Sequence, residues 1–155
     1  MKHTISIKVR NHPGVMSHVS GLFARRGFNM DSIAVGTTED PSVSIITIIV
    51  SESDEKLGQI IEQLKKLIDV IDVKDLAYNE SITRELALIN IKVEPAKRSE
   101  VLGIIEVFGG KITDMAENSI LIEVSGNTRH IRAIISLLKK FGINELVRTG
   151  QIAMA

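Results

Sequence analysis

Two short segments in the N-terminal half carry the residues best suited to bind a small charged molecule. They are the turn Asn11-His12-Pro13-Gly14-Val15-Met16 and the segment Gly27-Phe28-Asn29-Met30. A turn that leads directly into a helix leaves the backbone N–H groups of residues 14 to 16 without intrahelical partners. These groups stabilise a carboxylate by hydrogen bonds and by about 0.3–1 kcal/mol of attraction to the helix dipole. Gly14 has no side chain, so a ligand can approach the backbone closely.

The side chains near these segments suit an amino acid. The amide of Asn29 both donates and accepts hydrogen bonds, which matches a carboxylate and an ammonium group. Val15, Met16 and Ile33 are apolar candidates for lining a pocket. The alternative is that the proline–glycine step is only a tight turn and that Asn29 only tolerates an unusual backbone angle. The equivalent turn of the C-terminal half, residues 94–98 (EPAKR), has neither Asn nor Gly, so if one half binds a ligand, it is the first.

No pattern typical of catalysis or metal binding is present in the sequence. There is no cysteine, and the histidines are not at the spacing of metal ligands. Glu52, Asp54 and Glu55 lie at a predicted helix start, where carboxylates interact favourably with the dipole. The Gly109-Gly110-Lys111 step lacks the rest of a phosphate-binding loop and fits a turn between helix and strand. The histidines are interpreted as solvated or capping residues: His3, His12, His18 and His130.

The composition argues against large aromatic ligands, nucleic acid and membranes as partners. Hydrophobic residues make up 44% of the chain and aromatic residues only 3%, with no Trp. Nineteen basic residues balance nineteen acidic ones, so no long-range field attracts nucleic acid or anionic lipid. RNA-binding modules of the fold predicted below need aromatic residues where this chain has Ile5 and Ile7. With no secretory signal and no long apolar stretch, a cytoplasmic protein is expected.

The N-terminal half is predicted to contain six elements in the order βαββαβ. Alternating apolar residues predict strands, and apolar residues three and four apart predict helices. Gly27 ends the first helix, with Arg25 and Arg26 placed favourably for its dipole. In the strand VSIITIIVS, consecutive apolar residues indicate burial on both faces. The predicted elements are a strand at 3–10, a helix at 14–26, strands at 29–37 and 43–51, a helix around 57–64 and a strand at about 70–78.

The C-terminal half repeats this order. Ile131, Ile134, Ile135 and Leu138 lie 74 positions after Leu57, Ile60, Ile61 and Leu64, respectively. Chance likeness between two amphipathic helices is the alternative, but the order of all six elements agrees, which indicates a duplication. The predicted elements are a strand at 85–93, a helix at 97–108, strands at 111–116 and 119–125, a helix at 128–140 and a strand at 143–153.

The predicted fold class is α+β, with two tandem ferredoxin-like βαββαβ domains. Each has one antiparallel sheet with two helices on one face. The polar segment at residues 78–83 is the expected boundary, which gives domains at 1–78 and 79–155. A four-stranded sheet with doubly apolar strands needs an edge and a face covered, so a dimer is expected.

Residues 11–16, taken together with residues 21–33, resemble the ACT domain of acetohydroxyacid synthase (acetolactate synthase) regulatory small subunits. The likeness extends to residues 40–44, 63–70 and 84–88. The glycine turn alone would indicate only an ACT domain, whereas the combination is specific for this family.

The resemblance implies a regulatory subunit without catalytic residues of its own. Such a subunit pairs with a separate catalytic large subunit, raises its activity and confers feedback inhibition by valine or another branched-chain amino acid. No cofactor is expected in this chain, while thiamine diphosphate, Mg and FAD are expected in the catalytic partner. The second half is expected to be a more variable ACT-like domain used in dimer contacts and packing.

The resemblance also implies where the effector binds. Family members form a homodimer by joining their ACT domains side by side, and valine lies between the glycine turn of one chain and the second strand of the other. Two groups of residues are therefore expected to face each other across the dimer. They are Asn11, Gly14, Val15 and Met16 on one side, and Asn29, Met30 and Ile33 on the other.

Two other functions remain open from the sequence. A free-standing tandem ACT-domain sensor would regulate another amino-acid enzyme or a transcriptional circuit, and it would not bind a thiamine-dependent enzyme. A small enzyme with a ferredoxin-like fold would need a titratable cluster in a cleft, and the sequence indicates none.

Overall fold

The computed structural model describes residues 2–76 and 80–155. The chain divides into two compact units. One unit runs to Ile82 and also includes Gln151–Ala155, and the other comprises Thr83–Gly150. The predicted boundary between residues 78 and 79, like the end of the strand predicted at 70–78, lies outside the described residues.

The first unit has the predicted βαββαβ order. Its sheet is antiparallel between all neighbours, in the order β2-β3-β1-β4, so β2 and β4 are the edge strands. This is the ferredoxin-like arrangement that the sequence predicts, and the fold class is confirmed. The elements are β1 (Lys2–Arg10), α1 (Val15–Arg25), β2 (Met30–Thr37), β3 (Val43–Ser51), α2 (Asp54–Lys65) and β4 (Val70–Asp75).

The core of the first unit lies between this sheet and its two helices. Alternate residues of β1 enter it, because successive side chains of a strand point to opposite faces. On β3, Ile46, Ile48 and Val50 belong to the core, while Thr47 and Ile49 on the opposite face are also buried. The prediction that this strand is buried on both faces is therefore confirmed.

The second unit repeats the topology, with strand order β6-β7-β5-β8. The apolar helix positions that repeat in the sequence are core positions in both units: Ile131, Ile134, Ile135 and Leu138 are buried, as are Leu57, Ile60 and Leu64. The elements are β5 (Ile82–Lys92), a 3-10 turn (Pro95–Lys97), α3 (Arg98–Val107), β6 (Lys111–Ala116), β7 (Ser119–Gly126), α4 (Thr128–Leu138), a 3-10 turn (Lys139–Phe141) and β8 (Ile143–Arg148).

The last predicted strand, at 143–153, is wrong as a single element. The structure has β8 and then a separate short strand, β9 (Ile152–Met154). Gly150 between them has φ +84°, a left-handed conformation that glycine adopts readily. The chain therefore turns, and the final segment joins the first unit, where the Gln151 N–H donates to the Ser32 Oγ at 3.2 Å. Local periodicity could not indicate this, because the turn depends on one backbone angle.

The histidines differ from one another in environment. His12 and His18 are exposed, and the His130 Nε2 lies 2.7 Å from the carbonyl oxygen of Phe108 at the end of α3, as expected of a capping residue. His3 is fully buried, so its interpretation as solvated or capping is wrong. Its Nε2 lies 3.1 Å from the Oδ1 of Asp54, without the alignment of a hydrogen bond. His3 occupies an inward-facing position of β1, and strand alternation places it in the core whatever its polarity.

Candidate functional site

The glycine turn forms an open helix start. Gly14 is the N-cap residue of α1, with φ +88° and ψ −9°, and its carbonyl accepts the first helical hydrogen bond from the His18 N–H at 3.1 Å. A Cβ built on Gly14 would meet no atom within 4 Å, so the space beside this backbone is open. The positive φ favours glycine, and the open space lets a ligand approach.

No side chain caps the start of α1, and its first turn contains no acidic residue. By contrast, Ser53 caps α2 and Asn127 caps α4 with side-chain oxygens. The Val15 N–H makes a long turn bond of 3.4 Å to the His12 carbonyl. The remaining N–H groups of this turn can therefore bind an anion, and the dipole of α1 favours a negative charge there.

Asn11 anchors the turn to the loop between β2 and β3. Its backbone N–H donates to the Ser42 carbonyl at 2.7 Å, and its Nδ2 donates to the Pro41 carbonyl at 3.1 Å. Within that loop, Ser42 donates to the Asp40 carboxylate from both its backbone N–H and its hydroxyl, at 3.0 and 2.7 Å. These two hydrogen bonds lower the pKa of Asp40. The glycine turn thus has a defined conformation, and the side-chain Nδ2 of Asn11 is used for it.

The predicted apolar residues are placed differently from one another. The side chain of Val15 is in the core, only 4% exposed, so of this residue only the backbone N–H, which makes the long bond to the His12 carbonyl, is near the turn's open space. Met16 is 37% exposed on the same helical turn. Met30 and Ile33 are half-buried against the core, and Asn29 is exposed. Of the predicted residues with side chains, Asn11, Met16 and Asn29 are exposed.

The two groups of predicted residues lie at opposite ends of the sheet within one chain. Arg10, just before the glycine turn, pairs with Val43 of β3, whereas Met30 pairs with Val50 at the other end of the same strand. Seven residues of extended strand span about 24 Å. An amino acid is far shorter than that. One chain therefore does not bring both groups onto one ligand.

The equivalent turn of the second unit is built in another way. Pro95–Lys97 forms a 3-10 turn that continues directly into α3, without a left-handed residue. The Arg98 guanidinium crosses this region and donates from its Nη2 to the Glu117 carbonyl at 2.8 Å. Neither this 3-10 turn nor α3 has a side-chain cap either, so what distinguishes the first unit is the left-handed glycine at its helix start.

Over residues 2–76 and 80–155, the side chains form no metal site and the helices form no membrane span. No group of three or more His, Asp or Glu side chains is arranged to hold a metal ion there. In the same ranges, no helix is both long and apolar enough to cross a membrane.

Nothing in the sequence pointed to Ser32, which lies between the predicted residues Met30 and Ile33 and accepts a hydrogen bond from Gln151. No local pattern could have indicated a contact between residues so far apart.

Family models match both halves of the chain. The model described as "AHAS small subunit-like ACT domain" matches residues 5–72, and the one described as "Small subunit of acetolactate synthase" matches residues 84–155. The chain is 45% identical to a probable acetolactate synthase small subunit of Archaeoglobus fulgidus. The match covers 99% of this chain and 96% of that protein. It is 39% identical to an acetolactate synthase small subunit of Mycobacterium leprae, over 99% of this chain and 90% of the relative.

A solved structure agrees with these relatives. The crystal structure of an acetolactate synthase small subunit from Thermotoga maritima superposes with a TM-score of 0.91 at 38% sequence identity. The match covers 99% of this chain and 96% of that one. The similarity therefore extends over both units.

Proposed function

The chain belongs to the family of acetolactate synthase small subunits, and from this premise we propose that it activates a separate catalytic subunit and makes it sensitive to inhibition by valine. Thiamine diphosphate, Mg and FAD are assigned to that catalytic subunit, and a cytoplasmic location is part of the same proposal. Full-length likeness to chains named as small subunits favours this function over a free-standing sensor.

The observation that carries the proposal is the uncapped start of α1 beside Gly14. A valine carboxylate placed there accepts hydrogen bonds from backbone N–H groups that have no side-chain cap and gains the attraction of the helix dipole. The open space beside Gly14 allows that approach. The exposed Met16 side chain offers apolar contact to the valine methyl groups.

The position of β2 supports a second copy of the chain as the other half of the site. β2 is an edge strand, so its outer N–H and C=O groups are available to pair with another strand. In a twofold dimer the same surface contacts itself, and two β2 strands paired in this way run antiparallel. The start of one β2 then lies beside the end of the other.

This pairing completes the site. Thr37, at the end of β2, pairs with Ser44, next to the position that pairs with Arg10. The end of β2 and the glycine turn therefore lie at the same end of the sheet. The start of β2 from a second copy brings its Asn29 and Met30 to that end. The amide oxygen of Asn29 is then suited to accept from the valine ammonium group, while Met30 and Ile33 provide apolar surface.

The direct test mixes this chain with its cognate catalytic subunit. We expect no conversion of pyruvate to acetolactate by this chain alone, a higher rate for the mixture than for the catalytic subunit alone, and a decrease in that rate as valine is added. Titration calorimetry with valine, leucine and isoleucine then identifies the preferred effector. An unchanged rate on mixing would contradict the proposed function.

A further inference from the structure

The C-terminal strap, defined as Gln151–Ala155, belongs to the first unit although the chain immediately before it belongs to the second. Gln151 is only 8% exposed, and its backbone N–H donates to the Ser32 Oγ at 3.2 Å across 119 positions of sequence. The strap also contacts β1 through β9. It is therefore a built part of the first unit and not a loose terminus.

Ser32 lies where the pairing of β2 is weakest. Met30 pairs with Val50 and Ser32 with Ile49, which leaves Asp31 as an extra residue in a β-bulge. A bulge interrupts the ladder and leaves the extra residue unpaired. The Asp31 carboxylate accepts a hydrogen bond from the Ser51 hydroxyl, and the strap supports the next residue. The start of β2 thus has two side-chain contacts besides its ladder, one from Ser51 of β3 and one from the strap.

The equivalent strand of the second unit shows the contrast. β6 also has a bulge, between Ile112 and Asp114. There the Thr113 Oγ1 donates to the Leu121 carbonyl of the neighbouring strand at 3.2 Å, so the extra residue of the bulge is hydrogen-bonded within its own sheet. In β2 the bulged Asp31 is likewise bonded to the neighbouring strand, by the Ser51 hydroxyl, and the strap adds a further contact at Ser32 from more than a hundred residues away.

The residues just before the strap, Arg148 and Thr149, are held by hydrogen bonds and an ion pair. The Thr149 N–H donates to the Leu86 carbonyl and the Thr149 Oγ1 accepts from the Leu86 N–H, both at 3.0 Å. Arg148 pairs with the buried carboxylate of Glu85. Gly150, with its positive φ, is the one residue between Thr149 and Gln151.

We propose that the C-terminal strap positions the start of β2 for binding the effector. The inference rests on the proposed function, because β2 carries Asn29, Met30 and Ile33, the residues assigned there to the effector. The strap contacts no effector in this scheme and acts through Ser32. Its loss is expected to weaken valine binding about threefold to tenfold, the effect of one net hydrogen bond.

The experiment compares the full chain, a chain ending at Gly150, Ser32→Ala and Ser6→Ala. Ser6 lies on β1 and lines an open polar depression of the same sheet, away from the bulge of β2, so Ser6→Ala is the matched control. Hydrogen exchange of residues 30–37 is measured without effector, and valine affinity is measured by calorimetry. Exchange of β6 in the same samples is the internal control.

We expect the truncated chain and Ser32→Ala to exchange faster at the start of β2 and to bind valine more weakly, while Ser6→Ala and β6 remain as in the parent. Parent-like exchange or parent-like valine affinity in Ser32→Ala overturns the proposal. A change in Ser32→Ala that the truncation does not reproduce also overturns it, because Ser32 then acts without the strap. If the truncated chain fails to fold, Ser32→Ala decides.

The two proposals fail in different ways. A full chain that binds no valine and activates no catalytic subunit contradicts the proposed function, and with it the role of the strap in effector binding. The exchange rates still decide whether the strap holds β2. A full chain that is regulated by valine, with both variants equally sensitive, contradicts the strap alone.

Discussion

Replacing Gly14 with aspartate tests the glycine turn directly. The new side chain places a carboxylate in the open space beside the start of α1, where the carboxylate of valine is proposed to bind. It also competes for the same backbone N–H groups, because aspartate is a good N-cap residue. We expect inhibition by valine to be lost and activation of the catalytic subunit to persist.

The structure sets the magnitude of this effect. A side chain at φ +88° costs about 1–2 kcal/mol, and its Cβ meets no atom within 4 Å, so the fold, with a typical stability of about 5–15 kcal/mol, should survive. Two like charges 4 Å apart repel by about 1 kcal/mol in water and about 4 kcal/mol near a protein surface. Since allosteric coupling is typically about 1–3 kcal/mol, this repulsion is large enough to remove it.

The assay measures the activity of the mixed subunits against valine concentration. For Gly14→Asp we expect the concentration needed for half-inhibition to rise about tenfold or more. Gly14→Ala carries the same backbone strain without the charge and should retain most of the inhibition. Ala96→Asp places the same charge in the equivalent turn of the second unit and should leave inhibition intact.

Two outcomes would refute the reasoning. Full valine sensitivity in Gly14→Asp would mean that no carboxylate binds at this turn. Loss of sensitivity in Ala96→Asp, with unfolding excluded by circular dichroism, would place the sensor in the second unit.

The chain is expected to be a dimer in solution, because β2 presents an unpaired edge and Val35 on it is half exposed; light scattering that gives a monomer at micromolar concentration would contradict this. Asp40→Asn should destabilise the loop that holds Asn11, because hydrogen bonds from Ser42 keep the pKa of Asp40 below its ordinary value of 3.8. A lowered pKa stabilises the fold above the unfolded-state pKa, so the difference from the parent should be complete above about pH 5 and disappear as the pH falls through the lowered pKa. Denaturant unfolding at a series of pH values measures it, and a difference that grows on acidification would argue against this role.

Much of the fold was predictable because it depends on local patterns. Alternation in β1 and three-and-four spacing in α1 determine which side chains a strand or a helix can bury. The repeat of Leu57–Leu64 at Ile131–Leu138 indicated two similar units, since repeated core positions imply repeated packing. Gly14 and Gly27 marked the two ends of α1, and both have positive φ in the structure.

The candidate site was predictable only in part. The turn at Gly14 and the segment at Asn29 are local features. Their residue types suit an amino acid but equally fit a simple tight turn, and the family resemblance supplied the choice between the two. The sequence could not show that the Val15 side chain is in the core, or that the Asn11 amide is bonded to the Pro41 carbonyl. Both facts depend on which loop lies beside the turn, and that is decided by the order of the strands.

Sequence by itself determined the order of the elements, the duplication and the residue types at the glycine turn. Tertiary structure alone decided that His3 is buried, that the two groups of site residues lie at opposite ends of one sheet, and that Gln151 meets Ser32. The physical reason is the separation along the sequence between the residues that interact. Periodicity and glycine reflect interactions over a few residues, whereas strand register, and a contact across 119 positions, exist only after the whole sheet has formed.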